Sequence, residues 1–400
     1  MKDVFIIDAI RTAIGRYAGS LKNTRPDDMA AVLIKEIVSR NFGDKIPTEE
    51  IEDVILGNAN GAGEENRNAA RMCVLLAGLP LSTGGVTVNR LCGSGMQAFI
   101  DGVRGIRNQE GECYLAGGVE SMTRAPFVLG KNSDSFGRNA EIYDTTIGWR
   151  FINPLLKKMY HPYSMGETAE NVAEKYKISR DKQDEFAFNS QMKAKKSIES
   201  GKFKNEIKGI EITVKKEKII FDKDEFPRFD TTMEALSKLK PAFREGGTVT
   251  AGNSSGINDG ASMLMLASEE FVKKHGLKPR ARFISSAVAG VDPSCMGIGP
   301  VPATSKALQR AAMKLSDIEL IELNEAFASQ SLACINELDL DESIVNVNGG
   351  AIALGHPLGS SGSRLIVTLL NELEKQNKKT GLATMCIGVG QGIATIIERV

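Results

Sequence analysis

Three residues whose side chains can attack a carbonyl or carry a proton sit in unusually glycine-rich surroundings: Cys92, His356 and Cys386. The stretch Val86-Thr87-Val88-Asn89-Arg90-Leu91-Cys92-Gly93-Ser94-Gly95-Met96-Gln97-Ala98-Phe99-Ile100 reads as a buried strand, a tight turn and a helix that begins at the turn. A thiol at a helix start meets unpaired N–H groups and the positive end of the helix dipole, which favour the nucleophilic thiolate. The small neighbours permit a sharp turn and let a substrate approach the sulfur, as in a nucleophile elbow. The plainer reading, a cysteine that merely packs, does not explain the flanking glycines.

Only three histidines are available as bases. His275 follows Lys273-Lys274 and precedes Gly276, the pattern of a cation at a helix C-terminus, and His161 lies before a proline. His356 differs, because Asn348-Gly349-Gly350-Ala351-Ile352-Ala353-Leu354-Gly355-His356-Pro357-Leu358-Gly359-Ser360-Ser361-Gly362 is too rich in glycine to be core. An imidazole there is suited to taking the Cys92 proton and then donating a hydrogen bond to a thioester oxygen. Thr384-Met385-Cys386-Ile387-Gly388-Val389-Gly390-Gln391-Gly392 presents a second thiol on a glycine turn, suited to proton exchange beside backbone N–H groups that face an oxyanion. It is not a dinucleotide fingerprint, which needs a following helix and an acid about twenty residues on. Together these elements point to acyl transfer through a cysteine thioester.

The whole-chain properties limit the alternatives. Four hundred residues, 42% hydrophobic and 25% charged, imply two or more packed units. Fifty basic and fifty acidic residues leave no net field to attract nucleic acid or an anionic membrane. The N-terminal apolar run Val4 to Ile7 is too short for a signal or a membrane span. Six cysteines without CxxC spacing argue against a disulfide framework or a metal site, and imply a reducing compartment, the cytoplasm. Cys73, Cys113 and Cys334 read as small core hydrophobes.

Strand and helix patterns alternate through residues 1–120, as in Glu52 to Leu56, Asn89 to Asn108 and Glu112 to Gly117. Residues 121–247 are more charged, carry the only tryptophan (Trp149) and hold two marked helices. One starts at Ser164 with Glu167 completing a capping box; the other runs from Ser179 to a stop at Gly201. This segment is expected to be an inserted, mainly helical loop domain, with 248–270 returning to the first unit and 271–400 forming the second. Ile51-Glu52-Asp53-Val54-Ile55-Leu56-Gly57-Asn58-Ala59 aligns with Ile318-Glu319-Leu320-Ile321-Glu322-Leu323-Asn324-Glu325-Ala326, and Val88-Asn89 before Cys92 is echoed by Val347-Asn348 before Gly349. Two weak matches in the same order favour a duplicated α/β unit with the site between its halves.

The strings Asn89 to Gly95, Gly117-Gly118-Val119-Glu120-Ser121-Met122, Asn324-Glu325-Ala326-Phe327-Ala328, Gly349 to Pro357 and Cys386-Ile387-Gly388 resemble the thiolase family, in family order and across nearly all 400 residues. The resemblance implies an α/β fold with five αβαβα layers made of two similar halves, and an inserted loop domain that receives coenzyme A. It implies that Cys92 is the acylated nucleophile, His356 its activator and Cys386 the acid/base for the α-carbon of acetyl-CoA or for the CoA thiol. Asn324 would hold a water that forms one oxyanion hole with His356, and the N–H groups of Cys92 and Gly388 would form the other. Met165, Arg228, Phe243, Ala251, Ser255, Met296 and Phe327 would surround CoA. The substrates would be acyl-CoA, acetyl-CoA and CoA, with no permanently bound cofactor and no metal, in a homodimer or homotetramer.

Within that family, Gly63 to Asn68, Arg124 to Lys131 and Tyr143 to Phe151 look most like the 3-oxoadipyl-CoA thiolases of aromatic-compound breakdown. Acetoacetyl-forming members carry a histidine where Ser164 stands, which weighs against a purely biosynthetic acetyl-CoA C-acetyltransferase. A condensing synthase would place His or Glu at position 386, and a non-catalytic acyl-CoA carrier would have lost one of Cys92, His356 and Cys386. A cysteine hydrolase shares the Cys/His pair and would use water as the acyl acceptor.

Overall fold

The computed structural model describes residues 2–43, 45–132, 134–214 and 216–400. Runs of aliphatic and β-branched residues form nine principal strands: β1 (Val4–Arg11), β2 (Asp53–Gly57), β3 (Gly84–Val88), β4 (Cys113–Ser121), β5 (Asn258–Ser268), β6 (Ala281–Gly290), β7 (Leu320–Leu323), β8 (Thr380–Ile387) and β9 (Gln391–Arg399). They lie in the order β7-β8-β9-β6-β1-β5-β4-β2-β3, and the short strand Gly15–Arg16 pairs with β5. β1 and β6 meet over only Phe5↔Arg282 and Ile6↔Ala281, so this is the seam between two sub-sheets.

The period-2 alternation of each strand feeds two different cores. Val54, Leu56, Met263 and Met265 face outward onto the helices Pro26–Asn41 and Ala69–Ala77. Their neighbours Ile55, Leu264 and Leu266 face inward, onto two long helices that also take Met385, Ile387, Ile393 and Ile397 from the other sub-sheet. These are α1 (Ser94–Arg107) and α2 (Leu358–Lys375). On the far side Ile321, Leu323, Ala394 and Ile396 pack with Ala303, Ala307, Cys334 and Ile335 of the helices Pro300–Ala311 and Ala328–Leu338. The result is five layers, helix–sheet–helix–sheet–helix, with α1 and α2 sharing the middle one.

The duplication is visible in the pairing. β2 lies parallel to both β3 and β4, and β4 then pairs antiparallel with β5, which pairs antiparallel with β1. β7 is parallel to β8 and bridges in parallel to Val345; β8 pairs antiparallel with β9, and β9 with β6. The two aligned sequence segments therefore supply equivalent strands, β2 and β7.

The chain leaves the sheet after Ser121 and rejoins it at Asn258. Between them the capping box at Ser164/Glu167 opens the helix Met165–Lys175, and Ser179 caps Arg180–Glu199, which ends at Gly201 with φ +72°. The segment also holds two hairpins, Phe127–Leu129 with Ile142–Asp144 and Ile210–Val214 with Glu217–Phe221. The second is driven by burial, because Ile210, Ile212 and Phe221 join the core of the first half. No helix among the described residues is long and apolar enough to cross a membrane.

Candidate active site

The site is built where the first turns of α1 and α2 abut. A Cβ at Gly95 would stand 2.5 Å from Ser363 Oγ and 2.7 Å from Gly359 O, so only glycine lets the helices meet this closely. Cys92 stands two residues ahead of Ser94, the start of α1, and His356 two residues ahead of Leu358, the start of α2. The pseudo-symmetry of the halves thus delivers a thiol and an imidazole to one place. The Cys92 turn is strained, with Leu91 at φ +49°, a conformation worth of order 1–3 kcal/mol that surrounding packing must offset. On the other side Gly355 has φ +105° and its missing Cβ would collide with the Asn258 side chain, whose Oδ1 accepts the His356 N–H at 2.9 Å.

Two sequence expectations need refinement. α1 has its N-cap at Gly93, so Cys92 lies just outside the helix. The expected drop in the thiol pKa is absent: burial pushes Cys92 up to about 11, and the N–H groups of Gly388 and Cys92 itself oppose that push without cancelling it, while the Glu120 charge adds to it. Desolvation outweighs the N-terminal field here.

His356 is buried, and burial, followed by the nearby Arg364 charge, lowers its pKa to about 3. Its Nδ1 lies 2.6 Å from Ser361 Oγ, and that hydroxyl donates its hydrogen to Pro357 O at 2.8 Å. The Ser361 oxygen is therefore the acceptor, Nδ1 carries the proton, and Nε2 presents a lone pair. Asn324 Nδ2 points at Nε2 from 3.4 Å, and Asn324 Oδ1, fully buried, has no partner among the described residues. Such an orphaned acceptor fits a bridging water or a reacting group.

Cys386 is the penultimate residue of β8 and is buried; desolvation first, and then the proximity of Cys92 and Cys334, hold its thiol well above the usual range. Just beyond it the chain turns at Gly388, Val389 (φ +64°) and Gly390 (φ +79°), which brings the Gly388 N–H to the Cys92 sulfur. Gly388 also lies against Leu91 and Met165. Two thiols, an imidazole whose Nε2 carries a lone pair and converging N–H groups are the groups that acyl transfer through a cysteine would call on.

Cys92 opens into a cavity of about 300 Å³ lined by Leu91, Met122, Trp149, Met165, Leu358 and Val389, with polar groups from Asn60, Glu120, Thr145 and Arg150. Glu120 and Arg150 were not singled out as site residues from the sequence. Glu120 accepts from the backbone N–H groups of Ala59, Asn60 and Gly359 and from Asn58 Nδ2, which ties both halves together beneath Cys92. Of the residues expected around CoA, Met165, Met296 and Phe327 cluster with Ala326 and Cys386. Phe243 stacks edge-on over Phe327 at 6.1 Å and lies on Gly166. Ser255 N donates to Ala326 O at 3.0 Å, on the turn that also carries the exposed Ala251. Arg228 stands apart, in a different hollow beside Arg16, Tyr17 and Phe226.

A doubled five-layer α/β body with two thiols and an imidazole at its centre defines a class of cysteine-dependent acyltransferases. Residues 4–270 match the thiolase N-terminal domain and residues 277–399 the thiolase C-terminal domain, and the chain belongs to the thiolase family. It is 56% identical to the beta-ketoadipyl-CoA thiolase of Pseudomonas aeruginosa, with 100% of both chains covered. It is 53% identical to the 3-oxoadipyl-CoA/3-oxo-5,6-dehydrosuberyl-CoA thiolase of Escherichia coli, again with 100% of both covered. Among solved structures, human mitochondrial 3-ketoacyl-CoA thiolase in complex with CoA superposes with a TM-score of 0.91 at 42% identity, covering 100% of this chain and 98% of that one.

Proposed function

We propose that this thiolase cleaves a six-carbon 3-oxoacyl-CoA ending in a carboxylate, 3-oxoadipyl-CoA, with CoA as the second substrate. In the first half-reaction His356 Nε2 takes the Cys92 proton while the sulfur bonds to C3 of the substrate. The C2–C3 bond breaks, Cys386 gives its proton to C2, and acetyl-CoA leaves an acyl group on Cys92. In the second, the Cys386 thiolate deprotonates incoming CoA, whose sulfur attacks the acyl carbonyl. Cys92 departs and recovers its proton from His356. The oxyanions are received by the N–H groups of Cys92 and Gly388 in one step, and by His356 with a water on Asn324 in the other.

The single observation that carries this reading is the pair of neighbouring thiols Cys92 and Cys386, with His356 at the start of the helix that abuts the one after Cys92 and its Nε2 left as the ring's acceptor. One thiol alone would serve a hydrolase; the second supplies the proton exchange at carbon that C–C cleavage requires. Met165, Met296 and Phe327 cluster with Cys386 and, with Phe243, Ala251 and Ser255, suit the pantetheine arm, while Arg228, in a separate hollow, suits a phosphate or the adenine face. Residues 121–247 are then the lobe that receives CoA. The sheet edge at β3 suits a homodimer, and free cysteines throughout suit the cytoplasm.

The substrate reading is tested by thiolysis kinetics with 3-oxoadipyl-CoA, 3-oxohexanoyl-CoA and acetoacetyl-CoA; preference for acetoacetyl-CoA overturns it. The covalent step is tested by intact-protein mass spectrometry after mixing with acetyl-CoA. The wild type should gain one acetyl group, and Cys92→Ser should gain none and lose at least about a thousandfold in kcat.

A further inference from the structure

We propose that Arg150 is the specificity-determining residue that binds the distal carboxylate of the acyl chain, an inference that rests on the dicarboxylate reading above. Among the described residues, Arg150 is the one cationic side chain lining the cavity into which Cys92 opens. It is half-buried, and among the described residues no carboxylate lies within ion-pair distance of it. Its Nη2 donates to Asn60 O at 3.3 Å, which leaves most of the five-donor fork available. Asn60 is itself fixed, through its N–H to Glu120 at 3.2 Å and its side-chain amide to Thr145 at 3.1 Å.

Other charges near the cavity are committed elsewhere. Arg124 and Arg25 both pair with Glu64, and Arg90 is held by Gln97 and Gln391. Among the described residues the one acid in the cavity wall is Glu120, whose two oxygens are occupied by N–H donors and which makes no ion pair with Arg150. Walls made of Leu91, Met122, Ile147 and Trp149 suit the methylenes of the chain. Trp149 is anchored by its indole N–H to Tyr163 O at 2.9 Å, so the turn that presents Arg150 is pre-formed. A guanidinium without an acid partner, beside apolar walls and along one hollow from the nucleophile, is suited to bidentate capture of a carboxylate.

The test compares kcat/KM of the wild type, Arg150→Met and Arg150→Gln for 3-oxoadipyl-CoA, its uncharged counterpart 3-oxohexanoyl-CoA, and acetoacetyl-CoA. Loss of a charge-assisted contact should lower the 3-oxoadipyl-CoA value roughly 10- to 100-fold and leave the other two within about threefold. Arg150→Gln keeps an amide donor for Asn60 O and should show the same split if the charge is what matters. A wild type that does not prefer the carboxylate substrate overturns the dicarboxylate reading and this assignment with it. A wild type that prefers it, joined to variants that keep the preference or that lose activity equally on all three substrates, overturns the Arg150 assignment alone.

Discussion

A carboxyl enclosed as Glu120 is, 1% exposed in the wall of the Cys92 cavity, holds its proton longer than it would in water. Burial raises its pKa from 4.5 to about 7, against the pull of the Ala59, Gly359 and Asn60 N–H groups. Between those two values the folded chain keeps a proton that the unfolded chain has released. Stability therefore falls as pH rises through that window, by about 3 kcal/mol for the 2.5-unit gap at about 1.4 kcal/mol per unit. Urea unfolding at pH 5 and pH 8 should show this as a steeper loss in the wild type than in Glu120→Gln, which is less stable at both pH values but cannot titrate. Parallel slopes would mean that Glu120 is already ionised at pH 5. The motif Gly117 to Met122 was legible as a family string, yet the carboxylate's place in the cavity wall was not. It depends on Ala59, Asn60 and Gly359, which only folding brings to it. Arg150 was hidden for the same reason, being one arginine among many until the cavity is closed around it.

At the scale of the element, the site depends on how near helices and strands can approach. A Cβ at Gly118 on β4 would run into the backbone carbonyl of Gly359, and one at Gly359 would stand 2.6 Å from Val119 O and 2.8 Å from Asn58 Cα. Backbone cannot retreat as a flexible side chain can, so Gly118→Ala must push the start of α2 away from the sheet. His356 precedes that start and moves with it. The expected result is a loss of about 1–3 kcal/mol in unfolding free energy and a fall in kcat larger than the change in KM, measured by denaturation and thiolysis on the same preparation. Unchanged kcat would show that His356 is positioned independently of α2. Local grammar gave these elements away where the signal was local: Ser164 with Glu167, Ser179 and Gly201 each mark a helix end in the residues themselves. The hairpin Ile210–Val214 with Glu217–Phe221 escaped because its burial comes from residues more than a hundred positions earlier, such as Leu33 and Leu79 in the same core.

For the whole molecule, the doubled architecture leaves the two ends of the sheet in different states. β7 at one end is flanked by the bridge to Val345, whereas β3 at the other pairs among the described strands only with β2, and its outer edge is met at Gly85 O by the Asn68 side-chain amide at 2.9 Å but by no further strand. Beside that edge Leu75, Leu76, Leu81 and Val86 are exposed, Leu81 to 80%. An open strand edge rimmed by leucine and valine is a template for pairing with another chain. A second copy related by a two-fold axis presents the same edge in return. The repeat that made the two halves recognisable in the sequence gave no hint of this, because the difference lies in what each end lacks. Since β3 runs directly into the Cys92 turn, a partner strand there would also stiffen the turn that carries the proposed nucleophile. Leu81→Lys combined with Val86→Lys should therefore halve the mass seen by sedimentation velocity at micromolar concentration and lower kcat. A variant that sediments like the wild type would move the interface to another face of the molecule, and a monomer with full kcat would separate assembly from catalysis.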